Sequence, residues 1–177
     1  VSFRLNEFGI IQTSSSRMVL SACIFEQTTG SSDIDMQVSG AGTLSEIIGC
    51  EFNGNSAGGV PEGVGIQCSD NATVRISGGR MHNYSTALHV GSPTDTSSTV
   101  LSSSALVIRD CTTDILQEGS ATLIFSSGTI ASSKIIIDDA INTELAFFDL
   151  DDNNALTIGS TIDVDTSLLQ AAITPIN

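Results

Sequence analysis

Acidic side chains are the first groups in this chain whose types and spacing could do chemistry. Asp138-Asp139 and Asp151-Asp152 are its adjacent acid pairs. Inverting glycoside hydrolysis needs two carboxyl groups ~6.5–9.5 Å apart, one of them protonated, and no spacing here places such a pair. The run Asp149-Leu150-Asp151-Asp152-Asn153-Asn154 sets oxygen ligands at alternate positions (Asp149, Asp151, Asn153), as an EF-hand loop does at its start. It then departs from that loop. The sixth position is Asn154 rather than Gly, and the twelfth is Ser160 rather than Glu. The flanks Ala146-Phe147-Phe148 and Leu156-Thr157-Ile158 read as strands. The expectation is an acidic turn between strands, with Asp149, Asp151 and Asn153 as a weak calcium candidate. No other cofactor is expected.

His82 and His89 have no nucleophile-bearing motif beside them and read as solvated surface residues. The four cysteines, at 23, 50, 68 and 111, have no zinc-site spacing. They read as compact buried hydrophobes with free thiols rather than as two disulfides. Asn71-Ala72-Thr73 and Asn83-Tyr84-Ser85 match the glycosylation sequon, which a Ser/Thr-rich chain also produces by chance.

The elements that must position these groups are built from small residues. The 177 residues include 26 Ser, 18 Thr and 16 Gly, with no Trp and one Tyr, and only six are Lys or Arg. Such a composition disfavours a helical bundle. Its 40% apolar content argues against disorder. No apolar run approaches the ~18 residues of a membrane-spanning helix. The net charge is −14: residues 1–109 hold nine acids and five bases, and residues 110–177 hold eleven acids and Lys134. A surface of this sign repels phosphate backbones, so nucleic acid is not an expected partner.

A phrase recurs along the chain: an apolar residue, two small or polar ones, then Cys or Gly. It reads Leu20-Ser21-Ala22-Cys23, Ile47-Ile48-Gly49-Cys50, Ile76-Ser77-Gly78-Gly79, Ile108-Arg109-Asp110-Cys111 and Phe125-Ser126-Ser127-Gly128. Between copies lies a second phrase, as in Met36-Gln37-Val38-Ser39, Ile66-Gln67-Cys68-Ser69, Leu88-His89-Val90-Gly91 and Ile115-Leu116-Gln117-Glu118. Each repeat thus reads as two strands of about three to five residues, joined by turns of varying length. Strand phrases at irregular steps fit coils stacked ~4.8 Å apart, with ladders of like side chains inside. An antiparallel sandwich would call for Asn-Gly or Asp-Gly hairpins, and Asn53-Gly54 is the single such dipeptide.

These phrases, over residues 15–165, resemble the right-handed parallel β-helix of the pectin-lyase-like superfamily. Phe52-Asn53-Gly54-Asn55-Ser56-Ala57-Gly58-Gly59-Val60 is also similar to the Phe-x-x-Asn and Gly-Gly-Ala-Ile phrases of chlamydial polymorphic outer-membrane proteins. The superfamily spans polysaccharide lyases and hydrolases, tailspikes and surface domains. Its hydrolases carry a Gly-His-Gly and an Arg-Ile-Lys phrase. Here the first is missing, and Arg75-Ile76 is followed by Ser77.

The expected architecture is all-β: one right-handed parallel β-helix domain of roughly five to seven coils over residues 1–177, a piece of a larger protein. Val1–Thr13 and Ser160–Asn177 would cap it, with a short helix near Leu168–Ile173. Leu20, Ile47, Ile76, Ile108 and Phe125 should form one inward stack, and Phe25, Phe52 and Met81 another. The turns 53–63, 92–104 and 149–154 would be presented outward. The role expected is structural: an extracellular or cell-surface spacer, adhesin-like module or interaction platform without catalysis. The alternative is a carbohydrate-binding or polysaccharide-cleaving segment, such as part of a tailspike or lyase. Partners would be a protein or glycan at the cell surface, or further copies meeting through coil ends.

Overall fold

The structure, a computed structural model, describes residues 2–5, 8–27, 34–54, 56–57, 60–93, 99–130 and 135–138. Two parallel sheets carry it. Sheet A holds β1 (Ser2–Leu5), β3 (Arg17–Ser21), β4 (Ile24–Gln27), β6 (Leu44–Asn53), β10 (Thr73–His82), β12 (Val100–Arg109) and β14 (Thr122–Ile130). Sheet B holds β2 (Phe8–Thr13), β5 (Ile34–Ser39), β9 (Val64–Ser69), β11 (Thr86–Val90), β13 (Thr113–Glu118) and β15 (Ile135–Asp138). From β2 onward the chain passes back and forth between the sheets, and each new strand pairs in parallel with its counterpart one circuit earlier. That is a β-solenoid, with no helix among the described residues. A small antiparallel hairpin, β7 (Ser56–Ala57) with β8 (Val60–Pro61), projects from one circuit.

Register turns the sequence into columns. In sheet B one inward column runs Ile10–Met36–Ile66–Leu88–Ile115, and its register continues to Ile135. The next runs Gln12–Val38–Cys68–Val90–Gln117. Met36, Val38, Ile66, Cys68, Leu88, Val90 and Ile115 are fully buried. The amides at the two ends of that second column bond to backbone. Gln12 Nε2 donates to the Ser16 and Leu44 carbonyls (3.0 and 3.2 Å), and Gln117 Nε2 to that of Ala121 (2.7 Å). Burying β-branched and aliphatic side chains in such columns supplies about 1.5–3 kcal/mol each.

The strands of sheet A are longer than the three to five residues expected: β6, β10 and β12 have ten each. Each bends at a left-handed residue, followed in β10 by Gly79 (φ 112°), and the bend residues form a column: Ala22 (φ 50°), Gly49 (56°), Gly78 (69°), Ala105 (54°) and Ser127 (49°). A Cβ built at Gly49 or Gly78 would meet nothing within 4 Å. At these two positions glycine answers to backbone conformation, whereas at Gly79 and Gly128 a Cβ would also strike the Cys50 and Leu106 carbonyls.

This bend corrects the fourth copy of the phrase. Asp110 (φ 55°) is also left-handed, but it lies at the corner after β12, not at the mid-strand bend. The column at the Cys/Gly position is Cys23, Cys50, Gly79, Leu106 and Gly128. Cys111 is not part of it. Likewise the stack on Leu20, Ile47 and Ile76 continues through Ser103 to Phe125, not through Ile108. Ile108 instead extends the column Phe25–Phe52–Met81 and leads to Ile130. Two left-handed corners, each followed after one residue by a small or apolar side chain, look alike in sequence. β12 also starts at Val100, so the presented turn ends at 99 rather than 104. Residues Ser2–Leu5 and Phe8–Thr13 pair as strands of the two sheets instead of capping them.

Phe25 and Phe52 stack in parallel, with centroids 4.4 Å apart and planes 1° from parallel. Parallel stacking is one of the arrangements aromatic pairs favour. Here the two rings occupy neighbouring rungs of one column.

Candidate functional surface

The interior is not uniformly apolar. The columns Ile34–Val64–Thr86–Thr113 and Met36–Ile66–Leu88–Ile115 run rung by rung, so Asp35, Gly65, Ala87 and Asp114 share the column between them. Asp35 and Asp114 are buried. Tyr84, the largest fully buried side chain, enters over Gly65, where any Cβ would run into Met81 Cε and the Ala87 carbonyl. Its hydroxyl donates to the Asp35 carboxylate. Cys111 stacks one circuit above Tyr84, and the following amide, Thr112 N–H, donates to the Tyr84 carbonyl (2.9 Å).

Burial first, then the charge of Asp35, holds the Tyr84 phenol well above its usual 10. Burial, reinforced by Asp114 and Asp110 against backbone hydrogen bonding from Tyr84 and Asn83, lifts the Cys111 thiol to about 11. Desolvation also raises Cys50. These groups stay protonated at neutral pH, and a protonated, buried thiol is not a nucleophile. All four cysteines are buried and free. The Cys23 amide donates to Cys50 Sγ at 3.4 Å, and Cys68 lies in the Val38–Val90 column.

The outer faces carry a different set. Arg17 and Arg75 flank Glu46 at 2.6 and 3.9 Å, and the bond from Arg17 draws the Glu46 carboxyl below its ordinary value. His82 Nε2 lies 3.5 Å from Glu51, and its Nδ1 lies 3.0 Å from Asn83 Nδ2. His89 Nε2 lies 2.7 Å from Glu118, both side chains 18% exposed. The histidines are thus partly covered and partnered, not solvated as expected. A shallow groove opens between Arg80, Val107 and Arg109. Asn83 Nδ2 also donates to Asn53 Oδ1 (3.3 Å), and Asn71 and Asn83 both hold left-handed corners.

Among the described residues, no three His, Cys, Asp or Glu side chains assemble as a metal-holding group. The calcium candidates Asp149, Asp151 and Asn153 lie outside the described residues, as do Asp139, Asp152, the turn 149–154 and the segment 160–177. The structure brings together Asp35, Tyr84, Cys111 and Asp114, a grouping that sequence reading missed. The one signal for it is the pair of small residues, Gly65 and Ala87, on a column otherwise holding aspartates. Nor does any helix among the described residues have the length and apolarity to cross a membrane.

No protein-family model, curated protein or solved structure matches this chain.

Proposed function

We propose that this chain is a structural, surface-presented β-helix, a stiff spacer or interaction platform of extracellular or cell-surface type, without catalysis of its own. The observation that carries this reading is the allocation of titratable groups. Among the described residues, Tyr84 is buried, protonated and hydrogen-bonded to Asp35, Cys111 is buried and protonated, and His89 Nε2 lies 2.7 Å from Glu118. A solvent-reachable acid–base pair poised for bond cleavage needs the opposite placement.

The same proposal takes the helix as right-handed, with five to seven coils, similar to the pectin-lyase-like superfamily. Six parallel strands in sheet B, one per circuit, support that coil number. The strong right-handed preference of parallel crossover connections supports the hand. Calcium at Asp149, Asp151 and Asn153, and contact between copies through coil ends, belong to this proposal as well.

The test is incubation of the full chain with a panel of polysaccharides. No new reducing or unsaturated sugar ends should form. Their appearance would replace this reading with a polysaccharide-cleaving one. Calcium titration followed by thermal denaturation tests the loop: a rise in Tm lost in Asp149→Asn/Asp151→Asn is expected, and an unchanged Tm removes calcium from the account.

A further inference from the structure

Two of the four buried thiols are stacked. Ile24 pairs with Glu51, and the Glu51 amide donates to the Cys23 carbonyl (2.8 Å), so Cys23 and Cys50 face each other on neighbouring circuits. A left-handed residue precedes each of them, Ala22 before Cys23 and Gly49 before Cys50. The Cys23 amide donates to Cys50 Sγ (3.4 Å), which sets that sulfur across the gap between circuits, against the Cys23 backbone. Each thiol also donates to the carbonyl two residues earlier: Cys23 Sγ to Ser21 (3.5 Å) and Cys50 Sγ to Ile48 (3.6 Å). Burial raises the Cys50 thiol, and the nearby Cys23 side chain adds to that rise.

The register leaves one such pair. The column passes from Cys50 to Gly79, which has no side chain, so no third sulfur competes. Cys68 has Val38 and Val90 as its rung neighbours, and Cys111 lies over Tyr84. Circuits ~4.8 Å apart hold paired Cα atoms within the span of about 4.4–6.8 Å that a disulfide bridges. Closure also asks the two Cβ atoms to draw in to ~3.8 Å. The bends at Ala22 and Gly49 adjoin both cysteines, and the space around Gly49 is open, so the backbone can turn there.

We infer that Cys23 and Cys50 are a disulfide-forming pair that clasps the first circuit of the solenoid to the second, while Cys68 and Cys111 remain thiols. The surface reading supplies the setting, an oxidising one; the bond itself depends on the geometry alone. The oxidant is a small-molecule disulfide such as oxidised glutathione. The Cys23 thiolate attacks one of its sulfurs, forms a mixed disulfide and releases one glutathione thiolate. The Cys50 thiolate then attacks Cys23 Sγ, breaks the mixed disulfide and releases the second. The two cysteine protons end on the two glutathiones, so the chain is oxidised by two hydrogens and the glutathione reduced by two. Both thiols are buried in the folded chain, so the exchange belongs to folding, before the circuits close over them. On its outer side the first circuit of sheet A has only the four-residue β1 among the described residues. A circuit with so little on one side frays first, and the bridge ties it to β6.

The test refolds the full chain in a glutathione redox buffer, beside a sample refolded in excess reductant, and counts thiols in denaturant. The reduced sample should show all four thiols and the oxidised sample two fewer. The oxidised mass should be lower by two hydrogens. Cleavage at glutamate, which separates the cysteines at Glu26 and Glu46, should release a cross-linked Cys23–Cys50 peptide. The bridged chain should melt about 5–15 °C higher than the reduced one. Cys68→Ala/Cys111→Ala should keep both the bridge and the gain, and Cys50→Ala should lose both. Four thiols after oxidative refolding, glutathione retained on Cys23, a bridge to Cys68 or Cys111, or a bridge that leaves the Tm unmoved or lowered would each overturn the inference. The unsubstituted chain decides this whether or not the variants fold. A sugar-cleavage result in the polysaccharide panel would instead sink the surface reading and leave the bridge standing, so the two failures are distinguishable.

Discussion

Two regions of the same interior are filled by opposite means. The column Met36–Ile66–Leu88–Ile115 is aliphatic or thioether at every rung, and each side chain covers the one before it. The adjoining corner buries Asp35, Tyr84, Cys111 and Asp114, where the Tyr84 hydroxyl donates to Asp35 and Tyr84 and Cys111 keep their protons. The column is redundant: losing one rung leaves its neighbours in contact with other apolar atoms. The corner is specific, since its members fit one arrangement of circuits. The solenoid draws stability from the first and uniqueness of register from the second.

The largest effect that would separate them is truncation in the column. Leu88→Ala should cost about 2–5 kcal/mol, the range for deleting a buried aliphatic side chain, read as a lowered urea midpoint. A shift below half a kcal/mol would mean that the column is not packed as described. In the corner, Tyr84→Phe keeps the ring and removes the donor to Asp35. It should cost about 1.5–3 kcal/mol, the value of a hydrogen bond to a buried carboxylate. No loss in Tyr84→Phe beside a clear loss in Tyr84→Leu would show that the ring, not the hydroxyl, carries the contribution.

A gain is expected at the one polar residue of an apolar stack. Ser103 lies between Ile76 and Phe125 with its hydroxyl buried and no hydrogen-bond partner among the described residues. Ser103→Ala should raise stability by about 1 kcal/mol, since it removes an unsatisfied buried group. Destabilisation would place that hydroxyl elsewhere.

The smallest effect is a pH slope. The Cys111 thiol holds its proton in the folded state to about 11, from an ordinary 9.0, and Tyr84 is raised too. The unfolded chain gives up these protons first as pH rises, so it binds fewer protons than the native state in that window. Stability should be full below about pH 9 and fall as pH climbs toward 11. Cys111→Ala should flatten part of that slope, and a slope unchanged by it would assign the alkaline loss to Tyr84.

The same contrast explains what was legible in the amino-acid sequence. Columns announce themselves because rungs repeat: Met36, Ile66, Leu88 and Ile115 recur with Gln37, Gln67, His89 and Leu116 one residue on. Mid-strand bends were legible where Gly49 and Gly78 hold them, and illegible at Ala105, because alanine does not advertise a left-handed φ. That single residue moved Ile108 and Cys111 out of their expected columns. The corner left almost no trace, since Asp35 and Tyr84 are 49 residues apart and meet only once the circuits are stacked. The outer face was half legible. The acidic charge was plain, but the gathering of arginines on one sheet required the register.

The central claim is that register, and it is tested most directly by two double-mutant cycles in urea unfolding. Met81 and Ile108 are paired across β10 and β12, whereas Ile76 and Ile108 are not. Met81→Ala with Ile108→Ala should show a coupling of about 0.5–3 kcal/mol, and Ile76→Ala with Ile108→Ala should be additive to within about 0.5 kcal/mol. Strong coupling between Ile76 and Ile108, with additivity between Met81 and Ile108, would contradict the account.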